Sequence, residues 1–167
     1  MISPTKNLIL IGMPGVGKST VGVLLAKATN RHFVDTDVYI QVGEGAGLQE
    51  IIVARGRAEF CRLEEEYLCC LDSRQSVIAT GGSAVYSPKA MGRLRSTGPA
   101  IYLHLPPEVL TQRLDNLDVR GVVMDEGQGI GALYQERRGL YEQYADMTID
   151  CLGLTQDQVV ARILQQL

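Results

Sequence analysis

Short apolar runs alternate with segments of helical periodicity along this chain. The apolar runs are typical of buried β-strands, and we expect strands near residues 7–11, 33–36, 76–80, 100–105 and 147–150. The first, third and fourth runs are almost continuously apolar, as is usual when helices cover both faces of a sheet. Because strands and helices alternate, the pattern predicts an α/β fold with a five-stranded parallel sheet.

The clearest helical pattern follows the first predicted strand. Between Lys18 and Ala28 the apolar residues Val21, Leu24 and Leu25 are spaced so that they share one helix face. That face would pack on the sheet. Further helices are expected at residues 38–44, 48–54, 57–72, 88–95, 107–115, 130–145 and 155–166.

Composition excludes several classes of function. The chain has 167 residues, enough for one domain (1–167) with a substantial core, and a formal net charge of −3. It has no basic run, so nothing indicates binding to nucleic acid or to an anionic membrane. No apolar run is long enough to span a membrane and no signal peptide is evident, so we expect a cytoplasmic protein. The four cysteines have no Cys-x-x-Cys spacing and are interpreted as reduced core thiols.

Residues 12–19 read Gly-Met-Pro-Gly-Val-Gly-Lys-Ser and lie between the first predicted strand and the first predicted helix. This spacing suits a polyphosphate, because backbone N–H groups and the helix N-terminus can surround it. Lys18 would reach the outer phosphates, and Ser19 would hold Mg²⁺. An ordinary glycine-rich turn, the alternative, has no need of a Gly-Lys-Ser ending at a helix start.

Two carboxylates stand where the second predicted strand ends. Asp35 and Asp37 are two positions apart, so on an extended chain their side chains point to the same face. Ligands of open parallel sheets bind at the carboxyl ends of strands, where the phosphate-binding loop also lies. Asp35 would reach the Mg²⁺, and Asp37 would hold the hydroxyl of an acceptor. The alternative is a helix cap with solvated acids, since aspartate before Val38 is a good N-cap.

Two later segments are candidates for the same site. Gly81 and Gly82 follow the third predicted strand, where paired glycines let a ligand approach the backbone, although a tight turn is the simpler alternative. Residues 116–131 contain four glycines among charged residues, which is typical of a mobile lid. Closure of such a lid would carry Arg120 onto a transferring phosphoryl group, although most exposed arginines are only surface charge.

In their order these motifs resemble the shikimate kinase family over nearly the whole chain. The phosphate-binding loop, the Asp-x-Asp pair, a helix with Phe60 and Glu64, the Gly-Gly turn and Glu-Arg-x-x-Leu-Tyr at 136–141 all match. The resemblance implies a P-loop three-layer α/β/α fold with a small substrate-binding helical subdomain, about 35–65, and a lid, about 116–131. It also implies an ATP- and Mg²⁺-dependent kinase of aromatic amino acid biosynthesis that phosphorylates a hydroxyl of shikimate.

The resemblance also assigns roles to residues of this chain. Lys18, Asp37 and Arg120 would carry catalysis, Ser19 and Asp35 would hold the metal, and Arg113 would flank the adenine. The nucleotide would contact Gly12, Gly15, Val16, Gly17, Lys18, Ser19, Thr20 and Arg113. The substrate would contact Asp37, Glu64, Gly81, Gly82 and Arg137, with Arg137 on its carboxylate.

The substrate-binding helix departs from the family pattern. The family reads Gly-Glu-x-x-Phe-Arg-x-x-Glu, whereas this chain has Arg57 for the first glutamate and Cys61 for the arginine. A thiol cannot form a bidentate pair with a carboxylate. Arg62 lies about 100° around the helix, whereas Arg57 is one turn before Cys61 on the same face. We therefore expect the substrate-binding cation to have moved to Arg57. Ser83 replaces the family's third glycine, and Gly121 its proline after the lid arginine.

Three functions remain open from the sequence. The first is a shikimate kinase, or a relative that phosphorylates another small anionic hydroxy acid, and we expect it to be a monomer. The second is a P-loop kinase with a different acceptor, such as a sugar acid or a nucleotide. The third is a nucleotide-binding module without catalysis, against which the retained Asp37 argues, because a module that only binds ATP needs no ligand for an acceptor hydroxyl.

Overall fold

Five strands form one parallel sheet in the computed structural model, which describes residues 6–115, 122–125 and 127–167. They are β1 (Leu8–Ile11), β2 (His32–Asp35), β3 (Ser76–Ala79), β4 (Ala100–His104) and β5 (Met147–Asp150). Their order across the sheet is β2-β3-β1-β4-β5, with β1 in the middle. Every residue of β1 and β3 is buried, so both faces of the sheet centre are covered. The predicted α/β class and five-stranded parallel sheet are confirmed.

At least one helix follows each of these strands along the chain. The helices are α1 (Lys18–Thr29), α2 (Thr36–Glu44), α3 (Leu48–Cys70), α4 (Pro88–Arg95), α5 (Pro107–Asp115), α6 (Ile130–Tyr144) and α7 (Gln156–Gln166), with a short 3₁₀ turn at Ala84–Tyr86. The two helices predicted at 48–54 and 57–72 form α3, and the expected break falls at Gly56, whose φ of 81° and ψ of 163° are not helical. Helix α2 begins at Thr36, two residues earlier than predicted, because Asp35 caps it.

The strand order places the candidate motifs at one edge of the sheet. Strand β1 pairs with β3 on one side and with β4 on the other, so the loop that follows β1 opens at the point where the connections diverge. Strand β2 pairs with β3 in parallel, with Asp35 opposite Ala79. The ends of β1, β2 and β3 therefore bring the phosphate-binding loop, the two aspartates and the Gly-Gly turn together.

A second, smaller apolar cluster lies beside the main core. It joins helices α2 and α3 to the segment 122–125 through Ile40, Ile51, Phe60, Leu63 and Val123. This cluster fixes α3 over the carboxyl edge of the sheet, where the candidate motifs lie. No helix in the described ranges is long and apolar enough to cross a bilayer.

The cysteines are less uniform than the sequence suggested. All four are free thiols, and Cys151 is buried in the main core. Cys70, however, is exposed at the end of α3, so the interpretation of all four as core residues is wrong for this one. Helix α3 ends there, and its last residue faces solvent.

Candidate active site

The loop between β1 and α1 adopts a conformation that suits phosphate. Gly12, Gly15 and Gly17 have φ values of 146°, 79° and 104°, which side chains other than glycine rarely adopt. Gly17 precedes α1 without a side-chain cap, so the first N–H groups of the helix are left for a ligand. The positive end of the helix dipole adds to their attraction for an anion.

Lys18 is folded back onto this loop. Its Nζ donates to the carbonyls of Gly12 and Met13 at 2.7 and 3.0 Å, and the side chain is buried. Burial lowers the pKa of Lys18 to about 8, partly offset by the charge of Asp37. A phosphate group with its negative charge offers the ammonium a stronger partner than two carbonyls. The Lys18 ammonium can therefore exchange the two loop carbonyls for a phosphate oxygen of a nucleotide.

Ser19 and Asp35 form the candidate metal site. The Ser19 hydroxyl donates to Asp35 Oδ2 at 2.6 Å, while Asp35 Oδ1 accepts from the backbone N–H groups of Asp37 and Val38. Asp35 is thus a helix cap, and its second oxygen still faces Ser19. Within the described ranges no three His, Cys, Asp or Glu residues form a metal cluster. This pair of hard oxygens nevertheless fits Mg²⁺, which usually takes few protein ligands and completes its shell with phosphates and water.

Two carboxylates converge in front of Gly81. The point where a Cβ on Gly81 would lie is 2.6 Å from both Asp37 Oδ1 and Glu64 Oε1. Burial raises the pKa of Asp37 to about 6 and that of Glu64 to about 7. Ser83 donates to Glu64 Oε2 at 2.6 Å, whereas Glu64 Oε1 is buried without a hydrogen-bond partner. The two carboxylates therefore pack closely on the Gly81 backbone.

Arg137 supplies the cation on the acceptor side. Its side chain is fully buried, its Nε donates to Tyr86 Oη at 2.9 Å and its Nη2 donates to the Val123 carbonyl. The remaining Nη1 has no partner and lies 2.8 Å from the point where a Cβ on Gly82 would lie. A buried guanidinium nitrogen without an acceptor is costly, so this atom indicates where an anionic ligand group belongs.

One cavity joins the nucleotide loop to this acceptor side. It encloses about 370 Å³. The predicted residues that line it are Gly15, Gly17, Lys18, Ser19, Thr20, Asp37, Gly81, Gly82 and Arg137. The lining contains neither Gly12, Val16 nor Arg113, which support the loop, and neither Asp35 nor Glu64, which lie behind Ser19 and Ser83.

Arg57 and Arg113 lie beside the cavity. The guanidinium of Arg57 pairs with Asp125 and Glu136, both at 2.7 Å, and does not line the cavity. Its donors are thus directed to protein carboxylates and not into the cavity, which differs from the substrate contact that the sequence predicts for Arg57. Arg113 leans on the phosphate-binding loop, with its Nη1 3.4 Å from the Gly15 carbonyl. Arg120 and Gly121 lie outside the described residues, as do residues 116–119 and 126 of the predicted lid.

Two contributors to the site were missed in the sequence. Thr36 Oγ1 accepts the backbone N–H of Gly81 at 3.1 Å, so this amide is already engaged. Tyr86 lies between the guanidinium groups of Arg57 and Arg137, whose Cζ atoms are 5.4 and 5.0 Å from the ring centre. The position of Thr36 between two aspartates was a usable signal. Nothing local to Tyr86 indicates its contacts.

Comparison with known proteins agrees with this geometry. The profile of the shikimate kinase family matches residues 14–167. A shikimate kinase of Thermodesulfovibrio yellowstonii is 36% identical over 96% of this chain and 94% of its own. One from Thiobacillus denitrificans is 38% identical over 89% of this chain and 83% of its own. The structure of a shikimate kinase from Acinetobacter baumannii in complex with shikimate superposes with a TM-score of 0.86, at 30% identity over 96% of this chain and 92% of that one. The chain therefore belongs to the shikimate kinase family, whose members are phosphotransferases that act on a hydroxyl group.

Proposed function

We propose that this protein transfers the γ-phosphoryl group of ATP to a hydroxyl of shikimate. The observation that carries the proposal is the single cavity in which Lys18 of the phosphate-binding loop faces Asp37 and Arg137. A nucleotide on the loop and a small hydroxy acid beside Asp37 would share this space, which is the first requirement for direct transfer. The acceptor of the Acinetobacter relative, shikimate, is a hydroxy acid of this kind.

The nucleotide side of the site neutralises charge. The free N–H groups of α1 and the ammonium of Lys18 bind the phosphates, and Lys18 exchanges the loop carbonyls for a phosphate oxygen. Ser19 and Asp35 are the residues that would hold Mg²⁺, which supplies compensation for the negative charge of the phosphates. Arg113, against the loop at Gly15, would lie along the adenine.

The acceptor side orients the hydroxyl. Asp37 accepts a hydrogen bond from the reacting hydroxyl and holds it toward the phosphate-binding loop. Nη1 of Arg137, which lacks a protein partner, pairs with the acceptor carboxylate. Positioning of the hydroxyl contributes more to the rate than the basicity of Asp37 does, because phosphoryl transfer requires little covalent chemistry from the protein. We further propose that Arg120 reaches the transferring group when the segment around 116–131 closes, and that the protein acts as a monomer.

A coupled assay of ADP release tests the proposal. Purified protein with ATP, Mg²⁺ and shikimate is expected to form ADP only when shikimate is present, and to yield phosphorylated shikimate in equal amount. The Asp37→Asn variant, which keeps the size of the side chain but loses its charge, is the control for contaminating kinases. ATP binding without turnover of shikimate, a sugar acid or a nucleotide would favour the silent nucleotide-binding module, and turnover of either of the other two alone would favour the second kinase.

A further inference from the structure

The guanidinium of Arg137 has two neutral groups as its hydrogen-bond partners. Its Nε donates to the hydroxyl of Tyr86 at 2.9 Å, and its Nη2 donates to the carbonyl of Val123. Its Nη1 is buried without a partner, and Arg137 lines the cavity. Burial of a cation is costly unless an anion or an acceptor compensates it. The positive charge of Arg137 is therefore available to an anionic group of a ligand.

Glu136, the residue before Arg137, carries a negative charge that is held by other donors. Its Oε1 accepts from the Tyr86 hydroxyl and from Arg57 Nη2, the latter at 2.7 Å, and its Oε2 accepts from Gln128 Nε2 at 2.8 Å. These hydrogen bonds, that from Tyr86 above all, lower the pKa of Glu136 to about 2, so this carboxyl is ionised at neutral pH. Glu136 is thus an anion whose hydrogen bonds go to groups other than the guanidinium of Arg137.

Tyr86 separates these two opposite charges. Its hydroxyl accepts from Arg137 Nε and donates to Glu136 Oε1, so both charged groups bond one neutral group and not each other. Burial raises the pKa of this hydroxyl, which therefore keeps its proton for Glu136. The ring centre of Tyr86 also lies 5.0 Å from Arg137 Cζ and 5.4 Å from Arg57 Cζ. The attraction of the aromatic ring for both cations offsets part of their mutual repulsion.

Loss of the Tyr86 hydroxyl would let the two charges meet. Glu136 Oε1 and Arg137 Nε are both hydrogen-bonded to the same oxygen atom, so a small rotation of the exposed Glu136 side chain brings them together once that oxygen is gone. A carboxylate and a guanidinium in a partly buried place attract each other strongly. An Arg137 that is paired with Glu136 has less charge to offer the carboxylate of an acceptor.

We propose that Tyr86 is a positioning residue, which holds the carboxylate of Glu136 away from Arg137 and so leaves the charge of Arg137 to the carboxylate of the acceptor. This inference rests on the proposed kinase function and adds to it the feature by which the pocket recognises a small hydroxy acid as an anion. The described residues that line the cavity do not include Tyr86, so it acts on the acceptor through Arg137. We therefore expect its hydroxyl to affect the binding of the acceptor and not the transfer step.

The Tyr86→Phe variant tests the inference, because it keeps the ring and removes the hydroxyl. We expect the KM for shikimate to rise at least about tenfold, whereas kcat and the KM for ATP stay within about threefold of their original values, since binding that is equal in the ground state and the transition state affects KM alone. Tyr39→Phe, at an exposed tyrosine of α2, is the matched control and should change none of the three constants. An unchanged KM for shikimate, or a loss confined to kcat, would overturn the inference.

A second substitution shows whether the charge of Glu136 causes the effect. Glu136→Gln removes that charge but keeps an acceptor oxygen, so in combination with Tyr86→Phe the KM for shikimate should return to within about threefold of that of Glu136→Gln alone. Glu142→Gln, at an exposed glutamate of α6 that pairs with Arg138, is the control and should not reverse the effect of Tyr86→Phe. If the effects of Tyr86→Phe and Glu136→Gln on KM simply multiply, Tyr86 acts by packing alone and the inference is wrong.

The outcomes separate this inference from the proposed function. Calorimetry in the presence of a non-hydrolysable ATP analogue gives the Kd of shikimate even without turnover, and this Kd should change across the variants as the KM does. Turnover of shikimate with an unaffected Tyr86→Phe variant would leave the kinase assignment intact and end the inference. Binding of shikimate without turnover, with the expected changes in Kd, would support the inference and refute the proposed function. If shikimate is neither bound nor phosphorylated, both fail.

Glu136→Gln alone decides the matter if Tyr86→Phe does not fold. Because Tyr86 already holds Glu136 away from Arg137, the Kd of shikimate should stay within about threefold of its original value. A Kd lowered by about tenfold or more would show that Glu136 competes with the acceptor for Arg137 despite Tyr86, and would contradict the inference.

Discussion

The ammonium of Lys18 can bind either the carbonyl groups of its own loop or the phosphate oxygens of a nucleotide. Its ammonium donates to the Gly12 and Met13 carbonyls, a pair of neutral acceptors that a phosphate oxygen outcompetes. Loss of this cation leaves the developing charge on the transferring group without its main protein donor. The loop conformation itself depends on its glycines, so the fold does not require the ammonium.

Lys18→Ala is therefore expected to lower kcat by about 100-fold to 1,000-fold or more, the usual cost of removing one preorganised donor from a charged transition state. The thermal unfolding midpoint should change little. Lys27→Ala, an exposed lysine in the last turn of the same helix, is the matched control and should keep full activity. Turnover of the Lys18 variant within a few fold of the unaltered enzyme would contradict the role given to Lys18.

The pKa values of Asp37 and Lys18 predict a bell-shaped pH profile. Burial raises the pKa of Asp37 to about 6, so kcat/KM should rise with pH as this carboxyl loses its proton and becomes able to accept the hydroxyl. Burial lowers the pKa of Lys18 to about 8, so kcat/KM should fall above that value as the ammonium loses its charge. Initial rates at low acceptor concentration measure this profile. A flat response from about pH 5 to 7 would exclude Asp37 as the titrating group.

Asp35, the residue that caps helix α2, also contacts Ser19. Asp35 accepts from the N–H groups of Asp37 and Val38 with one oxygen and from Ser19 with the other. The sequence offered the aspartate before Val38 as the cap, whereas the structure has Asp35 in this role, and its Oδ2 is not used for capping. Asparagine caps helices as well as aspartate but carries no charge for a metal ion.

Asp35→Asn should consequently separate helix capping from metal binding. We expect the free energy of unfolding to change by less than about 1 kcal/mol, because the cap is kept. The KM for ATP in the presence of Mg²⁺ should rise by about tenfold or more, because a hard anionic ligand is lost. Asp35→Ala, which also removes the cap, should cost about 1 kcal/mol in addition. If the KM for ATP in the presence of Mg²⁺ is the same in Asp35→Asn as in the unaltered protein, Asp35 is not a ligand of the metal ion.

The turn of α3 that follows the break at Gly56 forms ion pairs with α6 and with the segment 122–125. Arg57 pairs with Asp125 and Glu136, and donates to Tyr86 Oη at 3.1 Å. The same hydroxyl accepts from Arg137 Nε. We therefore propose that Arg57 positions Arg137 through Tyr86. Its guanidinium pairs with protein carboxylates, whereas its spacing predicted a substrate-binding cation.

Arg57→Ala is expected to raise the KM for the acceptor several-fold, with a smaller change in kcat, because Arg137 would lose the order of its partner. Arg57→Lys should restore part of the effect, since a lysine can still pair with Glu136. Arg62→Ala is the matched control, because Arg62 is exposed on the same helix and paired only with Glu59. Unchanged acceptor KM in Arg57→Ala would show that Tyr86 holds Arg137 without help.

The molecule as a whole has a net charge of −3, and the charged residues that line its cavity are Lys18, Arg137 and Asp37. Three features could be predicted because each depends on residues that are close together in the sequence: the strands, the helix break at Gly56 and the phosphate-binding loop. The partners of Arg57 could not, because Glu136 lies 79 positions away and the contact depends on how α3 and α6 pack. The pairing of Ser83 with Glu64, across 19 positions, is equally nonlocal. The two departures from the family pattern, Cys61 and Ser83, thus both lie near Glu64. Ser83 donates to its carboxylate, and Cys61 is three positions before it on α3.

The central claim is that the loop at Gly12–Ser19 and the pocket at Asp37 are one reaction centre. A crystal structure of the protein with a non-hydrolysable ATP analogue, Mg²⁺ and shikimate measures this directly. We predict the acceptor hydroxyl within about 3.5 Å of the γ-phosphorus, in line with the leaving oxygen and hydrogen-bonded to Asp37. Two ligands bound too far apart to react, with the segment around Arg120 closed over them, would contradict the account.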